Sequence, residues 1–146
     1  MQYNSLLLLT INHCFEKYLD VLDKEKRISI SRIRLSSHNF PIERMRYKKI
    51  KREQRICPIC NLDEIGDEMH YLLRCKNTNI ENTRNNFIDK IKKLQPQFVN
   101  FENNNIIQYC ITMIDNLTYK TFSIFINDIF IVFKQEEEKV HNGTLV

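Results

Sequence analysis

The residues best equipped for chemistry form one short cluster: Cys57-Pro58-Ile59-Cys60, then nine residues to His70, then four more to Cys75. Two cysteines separated by two residues form a knuckle, in which two thiolates leave one tight turn toward one point. A histidine and a third cysteine a short loop away complete four borderline-to-soft donors, the set that zinc takes in a tetrahedron. Four protein ligands leave no open position for water, so the chemistry implied is structural rather than hydrolytic. The competing account is that these are ordinary neighbours, the cysteines being buried as small apolar side chains. The remaining cysteines, Cys14 and Cys110, sit on the apolar stripes of their segments and read as core. His13 reads as solvent-facing, and His38 either bonds within a turn or meets a partner.

The elements that must hold these donors read as helical. Leu7, Ile11, Phe15, Tyr18 and Leu22 recur at spacings of three and four, with Ser5 as N-cap. Ile28 to Leu35 predicts a short helix, and Asn39-Phe40-Pro41 a turn, because the residue before proline avoids helical geometry. Beyond the cluster, Ile80, Arg84, Phe87, Ile91 and Leu94 keep helical spacing until Pro96 ends it. Asn103 to Asn105 cap a helix with Ile106, Ile107, Cys110, Ile111, Ile114 and Leu117 inward. A last helix from about Thr118 to Glu138 buries Tyr119, Phe122, Phe125, Ile126, Ile129, Phe130 and Phe133, although the β-branched and aromatic run 124–133 also suits a strand. Gly66, in the loop between the ligand pairs, is expected to supply a positive φ. The reading is a mainly α protein, a small helical domain with one CCHC zinc knuckle. It divides into an N-terminal helix (1–25), a basic segment plus zinc module (26–95) and a C-terminal helical pair (96–146).

Composition narrows the function. With 42% apolar and 27% charged residues the chain makes a core, and with two glycines it has no phosphate-cradling glycine loop. No stretch approaches the ~20 apolar residues of a membrane helix, and the first residues lack the pattern of a signal peptide, so an intracellular protein, nuclear or cytoplasmic, is expected. The net charge of +4 hides a polarity: residues 26–55 hold eleven Lys or Arg against Glu43 and Glu53. Such an asymmetric face points to an anionic partner, and Arg44, Arg46, Lys48, Lys49, Lys51, Arg52 and Arg55 are the candidates to meet an RNA or DNA backbone. Tyr47, interleaved among them, is placed to stack on an unpaired base. The plainer alternative is a solvated face, paired with the acidic loop 61–69 or with Glu136, Glu137 and Glu138.

The run Ser37-His38-Asn39-Phe40-Pro41-Ile42-Glu43, then Arg46-Tyr47, then Arg52-Glu53-Gln54-Arg55-Ile56-Cys57-Pro58-Ile59-Cys60-Asn61, then Glu64-Ile65-Gly66-Asp67-Glu68-Met69-His70-Tyr71-Leu72-Leu73-Arg74-Cys75 resembles a known region. It is similar to the zinc-binding segment that follows the reverse transcriptase in non-LTR retrotransposon polyproteins of animals. The resemblance covers roughly residues 27–88, and Met45 departs from it where that family often has glycine. It implies a nucleic-acid-binding tail of a mobile-element reverse transcriptase, with Zn2+ as its cofactor and no small-molecule substrate. A polymerase body is a possible partner, and a protein-interaction domain docking on such a body is the alternative function. No paired catalytic carboxylates, and no nucleophile with its base, stand out, so no catalysis is expected of the chain alone.

Overall fold

The computed structural model describes residues 18–112 and 118–143. The first predicted helix, with Ser5, His13 and Cys14, lies outside them except for its last turn, α1 (Tyr18–Val21); so do Ile114 and Leu117. Helix α2 (Lys24–Arg34) starts four residues earlier than the apolar spacing alone suggests. Asp23 is the reason, since its carboxylate accepts from the Lys26 amide at 3.0 Å and caps the helix there. Phe40 is extended (φ −66°, ψ 155°), as a residue before proline must be, and Pro41 opens α3 (Pro41–Tyr47) at its first position, where its missing N–H costs nothing. The candidate ligands follow, and then α4 (Thr78–Leu94), capped by Asn77, whose side-chain oxygen accepts from Asn79 and Ile80.

A 3₁₀ turn, Pro96–Phe98, leads to α5 (Asn103–Thr112) and α6 (Tyr119–His141). The segment that also suited a strand is helix throughout, because its apolar residues meet two partners at helical spacing: α6 packs most extensively on α4 and on α2. Phe122, Phe125, Ile126, Ile129 and Phe133 are buried there. Phe87 stacks on Phe125 with planes 10° apart and centroids 4.3 Å apart. Leu94, expected inward, is half exposed, while Ile91 in the same last turn is buried. No described helix is long and apolar enough to cross a membrane.

Candidate metal centre

The ligand region is built from three local devices. The first is a miniature hairpin: Ile56 and Ile65 pair antiparallel, Cys57 N–H donates to Glu64 C=O at 2.9 Å, and Gly66 N–H donates to Arg55 C=O at 2.9 Å. This brings the knuckle under the loop that leads to His70. Gly66 does not take the positive φ expected of it; Asp63 does, at 50°. Glycine is required instead for close approach, since a Cβ there would lie 2.9 Å from both Pro41 Cγ and the Tyr71 hydroxyl.

The second device is a π-turn over His70–Arg74, closed by Cys75 N–H donating to His70 C=O at 2.7 Å. Five residues along an α-helix is about 1.4 turns, which would carry Cys75 away from His70. The i→i+5 bond of a π-turn returns it to the same side. Asp67 starts this turn by accepting from the His70 amide at 2.8 Å.

The third device is Arg84, 6% exposed, which donates to Leu72, Tyr71 and Cys75 carbonyls at 3.0, 3.2 and 3.1 Å. These are carbonyls that the end of the π-turn leaves without helical partners. One guanidinium fork serves all three. Burial lowers the Arg84 pKa, and the neighbouring Cys75 and Glu81 charges oppose that shift. Helical spacing placed Arg84 on the inner face; nothing local in the sequence indicates that its role is to hold the chain beside a ligand.

Together these devices bring the ligand atoms of Cys57, Cys60, His70 and Cys75 all within 4.8 Å of one another, with three of the residues buried and Cys60 partly so. Cys60 Sγ lies 3.4 Å from His70 Nε2. The other ring nitrogen, Nδ1, is 3.0 Å from Glu64 Oε2, which fixes the ring so that Nε2 points into the cluster, as metal-ligating histidines are fixed by an outer carboxylate. Glu64 also accepts from Arg74 Nε at 2.9 Å, and Arg74 followed by His70 holds its pKa down.

Protons distribute unevenly over the four groups. Cys57 ionises first: the Cys75 thiol, and to a smaller degree His70 and Tyr71, donate toward its sulfur and hold it far below the usual thiol range, against the effect of burial. Burial lifts Cys60, and the bond given to Cys57 lifts Cys75. His70 is pushed down by burial but raised on balance by the Cys57 thiolate and Glu64. A metal ion would take these groups as thiolates and a neutral imidazole, so the protons they hold without it would leave on binding. The Tyr71 hydroxyl is buried beside the cluster, and burial followed by the Cys57 charge pushes its pKa up.

The basic candidates fall into two groups. Arg44 forms a two-pronged ion pair with Glu137 of α6, one arm at 2.6 Å, and this bond raises its pKa. Arg55 donates to the Ile50 and Ile42 carbonyls at 2.9 and 3.0 Å. Both are engaged within the fold. Arg46 lies 2.7 Å from Glu43 and 5.2 Å from the centre of the Tyr47 ring. Arg52 reaches Asp67 only at 3.9 Å. Lys48, Lys49 and Lys51 are exposed and have no ion-pair partner among the described residues. Tyr47 is 77% exposed.

Compared with protein-family models, curated proteins and solved structures, the chain matches none.

Proposed function

We propose that the chain is a zinc-stabilised nucleic-acid-binding module, similar to the tail of a non-LTR retrotransposon reverse transcriptase, with no catalytic activity of its own. Zinc is the ion that suits three thiolates and an imidazole best. With metal–sulfur bonds of about 2.3 Å and metal–nitrogen bonds of about 2.0 Å, a tetrahedron has edges of about 3.5–3.8 Å. The 3.4 Å separation of Cys60 Sγ and His70 Nε2 is close to that edge. Zinc bound to all four would carry no open site, and its contribution would be to cross-link the knuckle to the π-turn.

The observation that carries the binding reading is that the metal loop and the basic turn form one hydrogen-bonded unit. Gly66 C=O accepts from the Ile42 amide at 3.2 Å, Arg55 C=O accepts from Gly66, and the Arg55 guanidinium bonds Ile42 and Ile50. The turn bearing Lys48, Lys49 and Lys51 is thereby fixed to the residues around the ligands. Exposed, unpaired cations on a fixed turn meet phosphates without losing internal ion pairs.

Three or four such contacts predict a slope of log K against log salt of roughly −2 to −3.5. Filter binding of a structured RNA and a duplex DNA over a range of salt tests this. Replacing Lys48 and Lys49 with Gln is expected to reduce the slope by about 1.5, with metal and helix content unchanged. No binding at low salt, or a full slope in the double variant, would make the basic turn a solvated face. The alternative of a protein-docking domain needs an apolar surface on residues 118–133, where most of that stripe is buried and only Ile124 and Ile131 are substantially exposed.

A further inference from the structure

A groove of about 500 Å³ runs between the corner that joins α2 to α3, the end of α3, and α6. Its floor is aromatic: Phe130, partly exposed, lies 5.3 Å from Phe40 by ring centroids, and Phe40 lies 5.2 Å from Phe133, these last two being buried beneath it. Tyr47 stands at one edge with its ring exposed, and Asn39 at another with its amide in solvent. Arg32 on α2 and Lys134 on α6 flank the mouth. Arg32 has no side-chain partner among the described residues, and Lys134 only approaches Glu138 at 4.0 Å. The one acid in the lining, Glu137, is already neutralised by Arg44.

The lining therefore combines two rings that reach solvent, Tyr47 largely and Phe130 in part, with an exposed amide and two cations at the rim. The volume falls in the range of small-ligand sites. Neither a lipid chain nor an apolar peptide needs this mixture, whereas an unpaired nucleobase does: a π-face to stack, an edge to hydrogen-bond, and phosphates on either side. We propose that this groove takes one unpaired base of a single-stranded nucleic acid, with Asn39 at the base edge and Arg32 and Lys134 on the flanking phosphates. This rests on the nucleic-acid reading above and extends it in two ways. It adds a second wall, on α2 and α6, outside the basic turn, and it makes the module prefer single strands to duplex, because a paired base cannot enter.

The test uses the full, zinc-loaded chain and short RNA and DNA strands that carry 2-aminopurine, an abasic site, or a normal base at one position, each single-stranded or annealed to its complement. Binding of the single strand is expected to be tighter than that of the duplex and to quench 2-aminopurine. The abasic strand is expected to bind about 5- to 150-fold more weakly, the range of one stacked base. Asn39→Ala weakens the normal strand but not the abasic one. Lys134→Gln, remote in sequence from the basic turn, lowers the salt slope by about 0.7. These positions are exposed, so metal content and helicity stay unchanged. Whether RNA and DNA strands differ shows if the sugar is also read.

Four results would overturn the proposal. One is equal affinity for single strand and duplex without quenching, which leaves the electrostatic module intact. Another is an Asn39→Ala effect identical on normal and abasic strands. The third is the absence of binding at low salt, which overturns both readings, and the fourth, capture of an aromatic peptide by the same groove, would replace the base with a protein ligand.

Discussion

Arg84 offers the sharpest test of how the metal centre is held, because it touches no ligand side chain and yet controls where one of them sits. Replacing it with Met keeps most of the side-chain length and removes the guanidinium. Three carbonyls, of Tyr71, Leu72 and Cys75, then lose their donor in a buried setting. Each buried acceptor left without a partner costs about 1–3 kcal/mol. The sum is tempered because the guanidinium itself is costly to bury, as the downward shift of its pKa indicates. Three such acceptors, less the cost of burying the guanidinium, put Arg84→Met at about 3–5 kcal/mol. That is a large share of a stability of about 5–15 kcal/mol for a domain of this size. Arg74 supplies the contrast. It also lies beside a ligand's partner, bonding Glu64 at 2.9 Å, but it is 46% exposed, so solvent screens it and Arg74→Met is expected to cost under about 1 kcal/mol. Urea denaturation with zinc present, together with competition against a metal-chelating dye, measures stability and metal affinity separately. The expected result is a lower midpoint and weaker zinc binding for Arg84→Met, with Arg84→Lys recovering only part, since one ammonium cannot span three carbonyls. If the two Met variants shift the midpoint equally, or if Arg84→Met binds zinc as the parent does, the carbonyl cradle does not position Cys75.

One zinc per chain is expected by elemental analysis, and a chelator should melt residues 55–76, since structural zinc contributes roughly 10–16 kcal/mol in finger peptides; unchanged circular dichroism and protease resistance would contradict this. Cys57→Ser and His70→Ala should reproduce chelation, whereas Cys110→Ser, on α5 and outside the cluster, should retain the metal. Gly66→Ala forces a methyl to within 2.9 Å of Pro41 and Tyr71, so a loss of about 1–3 kcal/mol is expected from thermal or urea melts. Burial pushes the Glu68 carboxyl up, but bonds from His38 at 2.7 Å and Ser36 at 2.8 Å outweigh it, and its pKa lies below the ordinary 4.5. Its contribution to stability is then present above that value and lost as pH falls through the lower folded pKa, so Glu68→Gln should destabilise the protein at pH 7 and flatten its acid transition.

What the sequence made legible was whatever has a local signature. The spacing of Cys57, Cys60, His70 and Cys75 declared the donors, helical periodicity declared α4 and left α6 between helix and strand over 124–133, and Phe40-Pro41 declared the turn into α3. What stayed hidden depends on partners far along the chain. That some of the basic segment pairs with Glu136, Glu137 or Glu138 was one of the two readings of the sequence; that the pair is Arg44 with Glu137, 93 residues away, is decided only when α6 packs. The π-turn also leaves no sequence mark, since His70 and Cys75 are five apart and an α-helical reading separates them. Gly66 was singled out for the wrong physical reason. A turn glycine and a close-approach glycine look alike in sequence, and Asp63 tolerates the positive φ that glycine was expected to take. His38, ambiguous in the sequence, is settled by its neighbours: Nδ1 accepts from the Phe40 amide at 3.3 Å, so Nε2 carries the proton toward Glu68. Arg84 fell on the predicted buried face, but a buried arginine without a carboxylate partner is explained only by the carbonyls it serves.

The metal centre is also a wall of the core. Tyr71 stands next to His70, with ring centroids 5.0 Å apart, and its opposite side packs on Phe40 at 4.4 Å and Phe133 at 4.8 Å. A displacement of the π-turn therefore does not stop at the ligands. It loosens Tyr71, which shares Phe40 and Phe133 with the floor of the groove, and it releases Gly66, whose carbonyl fixes the start of α3 through Ile42. The far side of the molecule is held differently, by Phe87 and Phe125 between α4 and α6, a contact that shares no residue with the ligand region. Metal loss should consequently divide the fold, disordering the ligand loop and weakening α3 while α4 and α6 stay paired. The basic turn and the groove both lie on the half that a bound metal would organise, so occupancy of one four-residue site is expected to govern both surfaces proposed to meet nucleic acid.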